Sequence, residues 1–228
     1  MSSSPLVREP QQARSRKSFD RALDAAILLL RERGSTTFTL LEVAQAAGVS
    51  TGSIYGRVSS KDDLIRVAHS REMERIARET TESFAEAPRN GDDHERVLFA
   101  VTALAGLLRR NAPVLSPFML LANRDRVIAT NGKAAYDEMT KQFESSLIGS
   151  SAANARRLEA LHWSCTVAYS VLARQFALGS DPGAAADYRL TQVIDQLTAM
   201  ITAYLASTGD ETGITATDDG HPQSELSF

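Results

Sequence analysis

A single glycine, Gly48, separates two short helical patterns, and this arrangement constrains the fold more than any other feature of the sequence. Thr39 is followed three residues later by Glu42, which is the spacing of a capping box and predicts the start of a helix. The apolar residues of this helix share one face: Leu40, Val43, Ala44 and Ala47. Gly48 can adopt the left-handed conformation of a sharp turn, and Ser50 can cap another helix that begins at Thr51. The segment therefore predicts two helices joined by a tight turn.

Longer helical patterns lie on both sides of this pair. From Lys17 to Arg33 apolar residues recur at helical spacing, and Gly34 is placed to end the helix. Ser60 is a further cap, and two acidic residues follow it in the first turn, where the helix dipole favours negative charge. A fourth helix should therefore run from there to about Ala87.

The rest of the chain shows five more helical segments, at about 93–110, 114–123, 132–148, 153–179 and 183–206. The last of them would open after Asp181 and Pro182, a typical start for a helix. No period-two pattern persists anywhere, so the predicted fold class is all-α. We expect four parts: a flexible basic arm (1–16), a three-helix domain (17–61), a helical body (62–207) and a disordered acidic tail (208–228).

Charge and composition narrow the classes of function. Residues 1–61 hold nine Lys and Arg against five Asp and Glu, whereas the remainder holds sixteen against twenty-three, so the front end suits a polyanionic partner. The sequence shows neither an apolar run of about 18 residues nor a signal-peptide pattern, so a cytoplasmic protein without a membrane partner is expected. With Cys165 as the one cysteine and no Cys/His cluster, no disulfide, metal or cofactor is expected.

The segment around the glycine turn resembles the signature of the TetR family of bacterial repressors; it reads TLLEVAQAAGVSTGSIYGRVSSKDDL. The family pattern is met in register and without gaps at Thr39, Val43, Ala44, Ala47, Gly48, Val49, Ser50, Gly52, Ile54, Tyr55, Ser60, Lys61 and Leu64. Gly56 and Arg57 depart from it, and Val58 replaces the usual phenylalanine. The resemblance implies an N-terminal helix-turn-helix DNA-binding domain and a C-terminal helical bundle for ligand binding and dimerisation.

A helix-turn-helix reads the major groove of DNA through the outward residues of its second helix. The predicted DNA-binding residues are Thr39, Ser50, Thr51, Gly52, Ser53, Tyr55, Gly56, Arg57 and Lys61. The resemblance implies that the hydroxyl of Tyr55 contacts a phosphate, and Lys61 is expected to clamp the DNA backbone from a positive helix terminus. Arg57 could grip two guanine acceptors or a phosphate, or could be a solvated surface residue.

Plainer roles stay open for several of these positions. Thr51 and Ser53 could only cap or solvate a helix end, and Tyr55 could be a partly exposed packing residue. Val49 and Ile54 should face inward and hold the third helix against the first two. A basic group ahead of the first helix could reach the DNA backbone or minor groove, or could merely solubilise an arm: Arg14, Arg16 and Lys17.

The last two helical patterns carry more apolar surface than one core contact uses, with Trp163, Val171, Met200 and Tyr204 on secondary stripes. In the family these helices pair across a two-fold axis, which implies a homodimer on a palindromic operator. The resemblance also implies a site for an unknown small-molecule effector, although the aromatic-rich region could equally be plain core. The candidate ligand-pocket residues are Phe99, Phe118, Met119, Tyr136, Met139, Phe143, His162, Trp163 and Tyr169.

The resemblance therefore implies a transcriptional repressor whose effector shifts the fourth helix and moves the recognition helices off the operator spacing. A DNA-binding regulator controlled by a protein partner, or without an effector, is the alternative; a filled core in place of a ligand-sized cavity would favour it. An all-α enzyme is a remote alternative, because the four histidines are scattered and no nucleophile-base pairing is visible.

Overall fold

The computed structural model describes residues 11–88, 90–148, 154–180 and 188–208. Within these ranges the chain forms helices and no strand, which confirms the predicted all-α class. The helices are α1 (Gln11–Arg33), α2 (Leu40–Ala47), α3 (Thr51–Tyr55), α4 (Lys61–Phe84), α5 (Asp93–Ala122), α6 (Arg126–Leu147), α7 (Ala155–Gln175) and α8 (Leu190–Ser207). Residues 1–10 of the predicted arm and residues 209–228 of the predicted tail lie outside the described residues.

The first three helices and the start of α4 form a small N-terminal head. α1 packs against α2, α3 and α4, and the core between them is formed by Phe38, Val43, Ile54 and Leu64, all of which are fully buried. Burial of each such side chain stabilises the head by roughly 1.5–3 kcal/mol. Gly48 has φ 61° and ψ 40°, the left-handed conformation that the turn between α2 and α3 requires, as predicted.

The capping box at the start of α2 is present and ties α2 to α1. The Thr39 amide donates to Oε2 of Glu42 at 2.7 Å, and the Glu42 amide donates to Oγ1 of Thr39 at 3.2 Å. Arg33, in the last turn of α1, donates to Oε1 of the same carboxylate at 2.6 Å. The hydrogen bond from Arg33 has the largest effect on the Glu42 carboxyl, and together with the bonds from Thr39 it lowers the pKa of Glu42 to about 2. The caps at Ser50 and Ser60 are also present.

α5 is the central helix of the C-terminal body and contacts α1, α4, α6, α7 and α8. The sequence predicts two helices here, at about 93–110 and 114–123, but the structure has one continuous helix with Pro113 and Pro117 inside it. Proline removes a backbone donor and disfavours a helix interior, yet Val114, Pro117 and Phe118 are buried, so packing on the neighbouring helices keeps this segment helical. Among the described helices, α5 has the length and apolar composition of a membrane span, but its contacts are those of a core helix.

Several predicted helix boundaries are displaced. α1 begins at Gln11 instead of Lys17, so residues 11–16 of the predicted flexible arm are helical. α6 begins six residues earlier than predicted, because Asp125 caps it. α8 begins at Leu190, so Tyr188 and Arg189, which the sequence places inside the last helix, precede it. The predicted opening at Asp181 and Pro182 lies outside the described residues.

A single arginine joins three helices at the far end of the body. Arg157 of α7 donates to the carboxylate of Asp93, at the start of α5, at 2.9 Å. It also donates to the carbonyl of Leu205, near the end of α8, at 2.8 Å. Arg157 therefore links the ends of α5, α7 and α8 to one another.

Candidate nucleic-acid interface and ligand cavity

α3 turns an apolar residue inward and a polar surface outward. Ile54 is fully buried in the head, while Gly52, Ser53 and Tyr55 are exposed to solvent and Thr51 is half-buried. Val49 is half-buried against the same core. The inward assignment of Ile54 and Val49 agrees with the sequence analysis, and the short helix is left with an outer face of small residues and one phenol.

The two serines at the start of α3 are already hydrogen-bonded to each other. Oγ of Ser50 accepts from the Ser53 amide at 3.2 Å and lies 2.8 Å from Oγ of Ser53. Ser50 therefore has the structural role of an N-cap. Ser53 is exposed and can still donate or accept one more bond.

Tyr55 and Lys61 flank the loop that follows α3, but their environments differ. Tyr55 is 57% exposed. Lys61 donates from Nζ to the carbonyls of Thr36 at 2.9 Å and Phe38 at 3.2 Å, and its ammonium lies 5.8 Å from the centroid of the Phe38 ring. Since an ammonium has three donors, Lys61 fixes the loop between α1 and α2 and keeps one donor for an outside acceptor.

Arg57 lies beyond the end of α3 and turns back to α1. Gly56 is the C-cap of α3 in the ordinary right-handed conformation, so the helix ends there. The guanidinium of Arg57 donates to Oγ of Ser15 at 3.2 Å and lies 5.9 Å from the centroid of the Phe19 ring. Val58 is buried in the head core at the position where the family usually has phenylalanine.

The basic residues ahead of the first predicted helix are exposed and belong to the first turns of α1: Arg14, Arg16 and Lys17. Arg57 reaches the same end of α1 through Ser15. Arg14, Arg16 and Lys17 therefore belong to a helix instead of a flexible arm, and Arg57 lies near the same end of α1.

A cavity of about 420 Å³ lies in the body between α4, α5, α6 and α7. Five of the predicted ligand-pocket residues line it: Phe118, Met119, Tyr136, Met139 and Tyr169. The rings of Tyr136 and Tyr169 meet edge to face with centroids 4.9 Å apart. Its volume lies in the range of pockets that hold drug-sized ligands.

Four other predicted residues do not line this cavity. Phe143 is fully buried and packs on Phe84, and Phe99 is half-buried against the core. His162 and Trp163 are exposed on the outside of α7, where Nδ1 of His162 lies 2.9 Å from Oε1 of Glu144. The rotation of α7 explains the difference, because its buried face is formed by Leu161, Cys165, Ala168 and Leu172.

The cavity has a lining residue that the sequence analysis missed, His69 of α4. It is only 1% exposed, and its ring meets the ring of Phe118 edge to face at 4.7 Å. Nδ1 has no hydrogen-bond partner among the described residues. Burial lowers the pKa of His69 to about 4, so the ring is neutral at pH 7. The available signal was its helical spacing from Ile65, Met73 and Ile76, which are buried on the same face.

The outer face of α7 and α8 is apolar and exposed. It carries Leu158, Trp163, Val171, Met200 and Tyr204. The buried face of α8 is formed by Val193, Leu197, Ile201 and Leu205, and Met200 and Tyr204 lie at its edge. Trp163 alone exposes 56% of its surface, and exposed large apolar residues on neighbouring helices are a feature of interaction surfaces.

The described residues include a buried free thiol, Cys165. Burial raises the pKa of the Cys165 thiol to about 12, so it is not a nucleophile at neutral pH. No group of three or more His, Cys, Asp or Glu in the described part of the chain is arranged to hold a metal ion.

The head matches a known family. Residues 22–68 match the family model described as "Bacterial regulatory proteins, tetR family". Two curated relatives, from two strains of Mycobacterium tuberculosis and both named as uncharacterized HTH-type transcriptional regulators, are 29% identical over 124 residues. The match covers 51% of this chain and 60% of each relative, so less than two thirds of their length is matched.

Solved structures with this architecture match most of the chain. A putative transcriptional regulator from Pseudomonas aeruginosa PAO1 has a TM-score of 0.62 at 20% identity, covering 88% of this chain and 93% of its own. Salmonella enterica GusR has a TM-score of 0.58 at 19% identity, covering 88% and 98%. A TetR transcription regulator from Haloarcula marismortui has a TM-score of 0.59 at 14% identity, covering 83% and 97%. At sequence identities of 14–20%, the similarity to these structures shows a shared fold.

Proposed function

Since the head of this chain matches the TetR family of bacterial regulators, we propose that the chain binds an operator in double-stranded DNA and represses transcription until a small molecule enters its body cavity. The observation that carries the proposal is the exposed polar face of α3, held by Ile54 on a compact head whose residues match the family model. We further propose that it acts in the bacterial cytoplasm, on nucleoid DNA.

α3 is the reading helix in this proposal. Thr51, Gly52 and Ser53 at its start face base edges or phosphates in the major groove, and the missing side chain of Gly52 allows the backbone to approach closely. Tyr55 donates its hydroxyl to a phosphate. Lys61 contributes its remaining donor to the DNA backbone, while its other bonds hold the α1–α2 loop beside Thr39.

Two copies are needed to read a palindrome. The exposed apolar face of α7 and α8 supports pairing across a two-fold axis, because a second copy would cover Trp163, Val171 and Met200 with the same surface. Such a dimer presents two α3 helices, which must lie about 34–36 Å apart to enter successive major-groove half-sites.

Release follows from the position of α4. This helix begins at Lys61, packs on α1 of the head, and lines the cavity with His69, Met73 and Ile76. A ligand that binds better to one position of α4 than to another shifts the population between the two, and the head moves with the helix. The ligand-sized cavity favours a small molecule over the alternative of a protein partner. The buried, high-pKa thiol of Cys165 disfavours the remote alternative of an enzyme.

The test is selection of binding sites from random double-stranded DNA by the full chain, followed by fluorescence anisotropy on the enriched sequence. Ser53→Glu places a negative charge on the outer face of α3, and glutamate three residues after Ser50 completes a capping box, so the fold is kept. Operator affinity should fall more than tenfold. Ser145→Glu, on the exposed side of α6, is the matched control and should change nothing. Selection that enriches no sequence would remove the proposal.

A further inference from the structure

Several polar groups that line the cavity are bonded to protein partners, and His69 is the lining residue with a fully buried, unbonded side-chain nitrogen among the described residues. The Thr80 hydroxyl donates to the Ile76 carbonyl at 2.8 Å. Lys133 donates to both carboxylate oxygens of Asp137 at 2.8 Å. Glu138 accepts from Gln142 at 3.1 Å and pairs with Lys141. His69 has no hydrogen bond to the described residues, although a buried polar atom without a partner costs free energy.

The charge balance of the lining excludes an anionic ligand as the best fit. Among the described residues that line the cavity, Lys133 has the only cationic side chain, and this side chain already forms an ion pair with Asp137. His69 is neutral, because burial lowers its pKa to about 4. A carboxylate or phosphate would therefore lose its hydration without gaining a positive partner, which is unfavourable in an apolar site.

The apolar part of the cavity lining consists largely of methionine and aromatic side chains. Three methionines, Met73, Met119 and Met139, share the wall with Phe118 and the edge-to-face pair of tyrosines. Thioether sulfur makes favourable contacts with aromatic rings and adapts to irregular shapes. A flat ring system would contact these methionines on its faces while one polar atom on its rim reached His69.

We propose that the effector is an uncharged aromatic molecule carrying one hydroxyl or carbonyl oxygen, and that this oxygen hydrogen-bonds to the His69 ring. The inference rests on the proposed function for the existence of an effector, and it deepens that function by naming the ligand class. A neutral imidazole has one donor and one acceptor nitrogen, so it can serve a phenol or an aryl ketone according to its tautomer.

The test compares three probes on the full chain by isothermal titration calorimetry: 2-naphthol, naphthalene and 2-naphthoate. They share a ring system and differ in having a neutral oxygen, no oxygen and a negative charge. We expect 2-naphthol to bind at least tenfold more tightly than either of the others. Equal binding of naphthalene, tighter binding of 2-naphthoate, or no binding of any probe would each overturn the proposal, and none of these comparisons depends on a variant.

Substitutions then assign the preference to His69. His69→Phe keeps a ring of similar size against Phe118 and removes both nitrogens, so 2-naphthol should bind only as well as naphthalene. His69→Gln, whose amide has a donor and an acceptor, should restore part of the preference. His94→Phe, the same change at an exposed histidine at the start of α5, is the matched control. A preference that survives His69→Phe would overturn the assignment.

Operator titrations on the same samples separate this inference from the function on which it rests. A chain that binds its operator but does not bind 2-naphthol more tightly than the other two probes refutes the ligand class and leaves the proposed regulator intact. A chain that prefers 2-naphthol through His69, yet binds operator equally with and without it, supports the ligand class and refutes release.

Discussion

Arg66 of α4 donates from Nε to Oδ2 of Asp125, 2.8 Å away, and so joins α4 to the first turn of α6. Oδ1 of the same carboxylate accepts from the amides of Val127 and Ile128, which makes Asp125 both an ion-pair partner and a helix cap. Burial alone would raise the pKa of Asp125, but the Ile128 amide and the Arg66 guanidinium outweigh it and lower the pKa below its usual value. His69 lies one helical turn after Arg66, so this joint borders the ligand cavity.

Substitution of Asp125 should lower the free energy of unfolding by more than substitution of Arg66 does. Asp125→Ala loses the cap and the ion pair, and should lower the free energy of unfolding by about 1–2 kcal/mol. Arg66→Ala loses only the partly exposed ion pair and should cost less than about 1 kcal/mol. Urea denaturation at fixed protein concentration measures both, with Arg78→Ala on the exposed side of α4 as the control. Equal losses for the two variants would show that the cap contributes nothing.

Substitutions of Tyr55 and Lys61 should both weaken DNA binding, but only the substitution of Lys61 should lower the melting temperature. Tyr55→Phe removes an exposed hydroxyl, so operator and scrambled DNA should both bind about tenfold more weakly, the value of one hydrogen bond to a charged group, at an unchanged melting temperature. Lys61→Ala should weaken binding and also lower the melting temperature by several degrees, because the Thr36 and Phe38 carbonyls lose their donor. Anisotropy and thermal melts on the same samples check both. An unchanged melting temperature for Lys61→Ala would contradict its role in the loop.

Arg57 is the residue whose role in recognition depends most on a rearrangement. If it leaves Ser15 and Phe19 to read a base, Arg57→Ala should change preference at one operator position, with a loss of about 1–3 kcal/mol there. Titration of operators substituted base by base measures this. Ser15→Ala, which removes its partner on α1, is the companion variant and should leave the preference unaltered. A uniform loss on all sequences for Arg57→Ala would mean a backbone contact instead.

His69 should make the protein less stable in mild acid. Burial lowers the pKa of His69 from its usual 6.5 to about 4 in the folded chain, so between these values the unfolded chain binds more protons and stability falls as the pH falls. The loss between pH 7 and pH 4 should reach roughly 3 kcal/mol. His69→Phe should flatten this part of the profile and raise stability at pH 7, since the unpaired Nδ1 is gone. Urea midpoints across pH 4–7 give the comparison; a parallel profile for His69→Phe would reject the assignment.

The apolar face of α7 and α8 should hold the dimer. Trp163→Glu places a charge in its middle and should shift the full chain from dimer to monomer at micromolar concentration, as measured by light scattering after gel filtration. Leu41→Glu, at an exposed apolar position on α2 remote from α7 in the chain, should leave the mass unchanged. A wild-type chain that elutes as a monomer would remove both the dimer and the palindromic operator from the proposal.

Local chemistry made the head predictable. The caps at Thr39, Ser50 and Ser60 and the left-handed Gly48 each depend on residues within four positions, and all four are present in the structure. The same locality explains the early end of α3 at Gly56. Contacts across the sequence were not accessible in this way, and the bond from Lys61 to the α1–α2 loop is one of them.

In the body, local signals were misleading where packing outweighed them. Pro113 and Pro117 suggest a break in α5, yet the helix continues because α5 is buried on several sides. Aromatic residues suggest a pocket, yet Trp163 and His162 face outward while the overlooked His69 faces the cavity.

The amino-acid sequence by itself determined the helical class, the capped turn between α2 and α3, and the family of the head, because caps, periodicity and a compact motif are properties of neighbouring residues. Only the tertiary structure decided which side of α4 and α7 faces the cavity, which charges are already paired, and which apolar face is left uncovered. Those outcomes depend on how helices distant in the chain rotate and pack against one another, and no local pattern encodes that rotation.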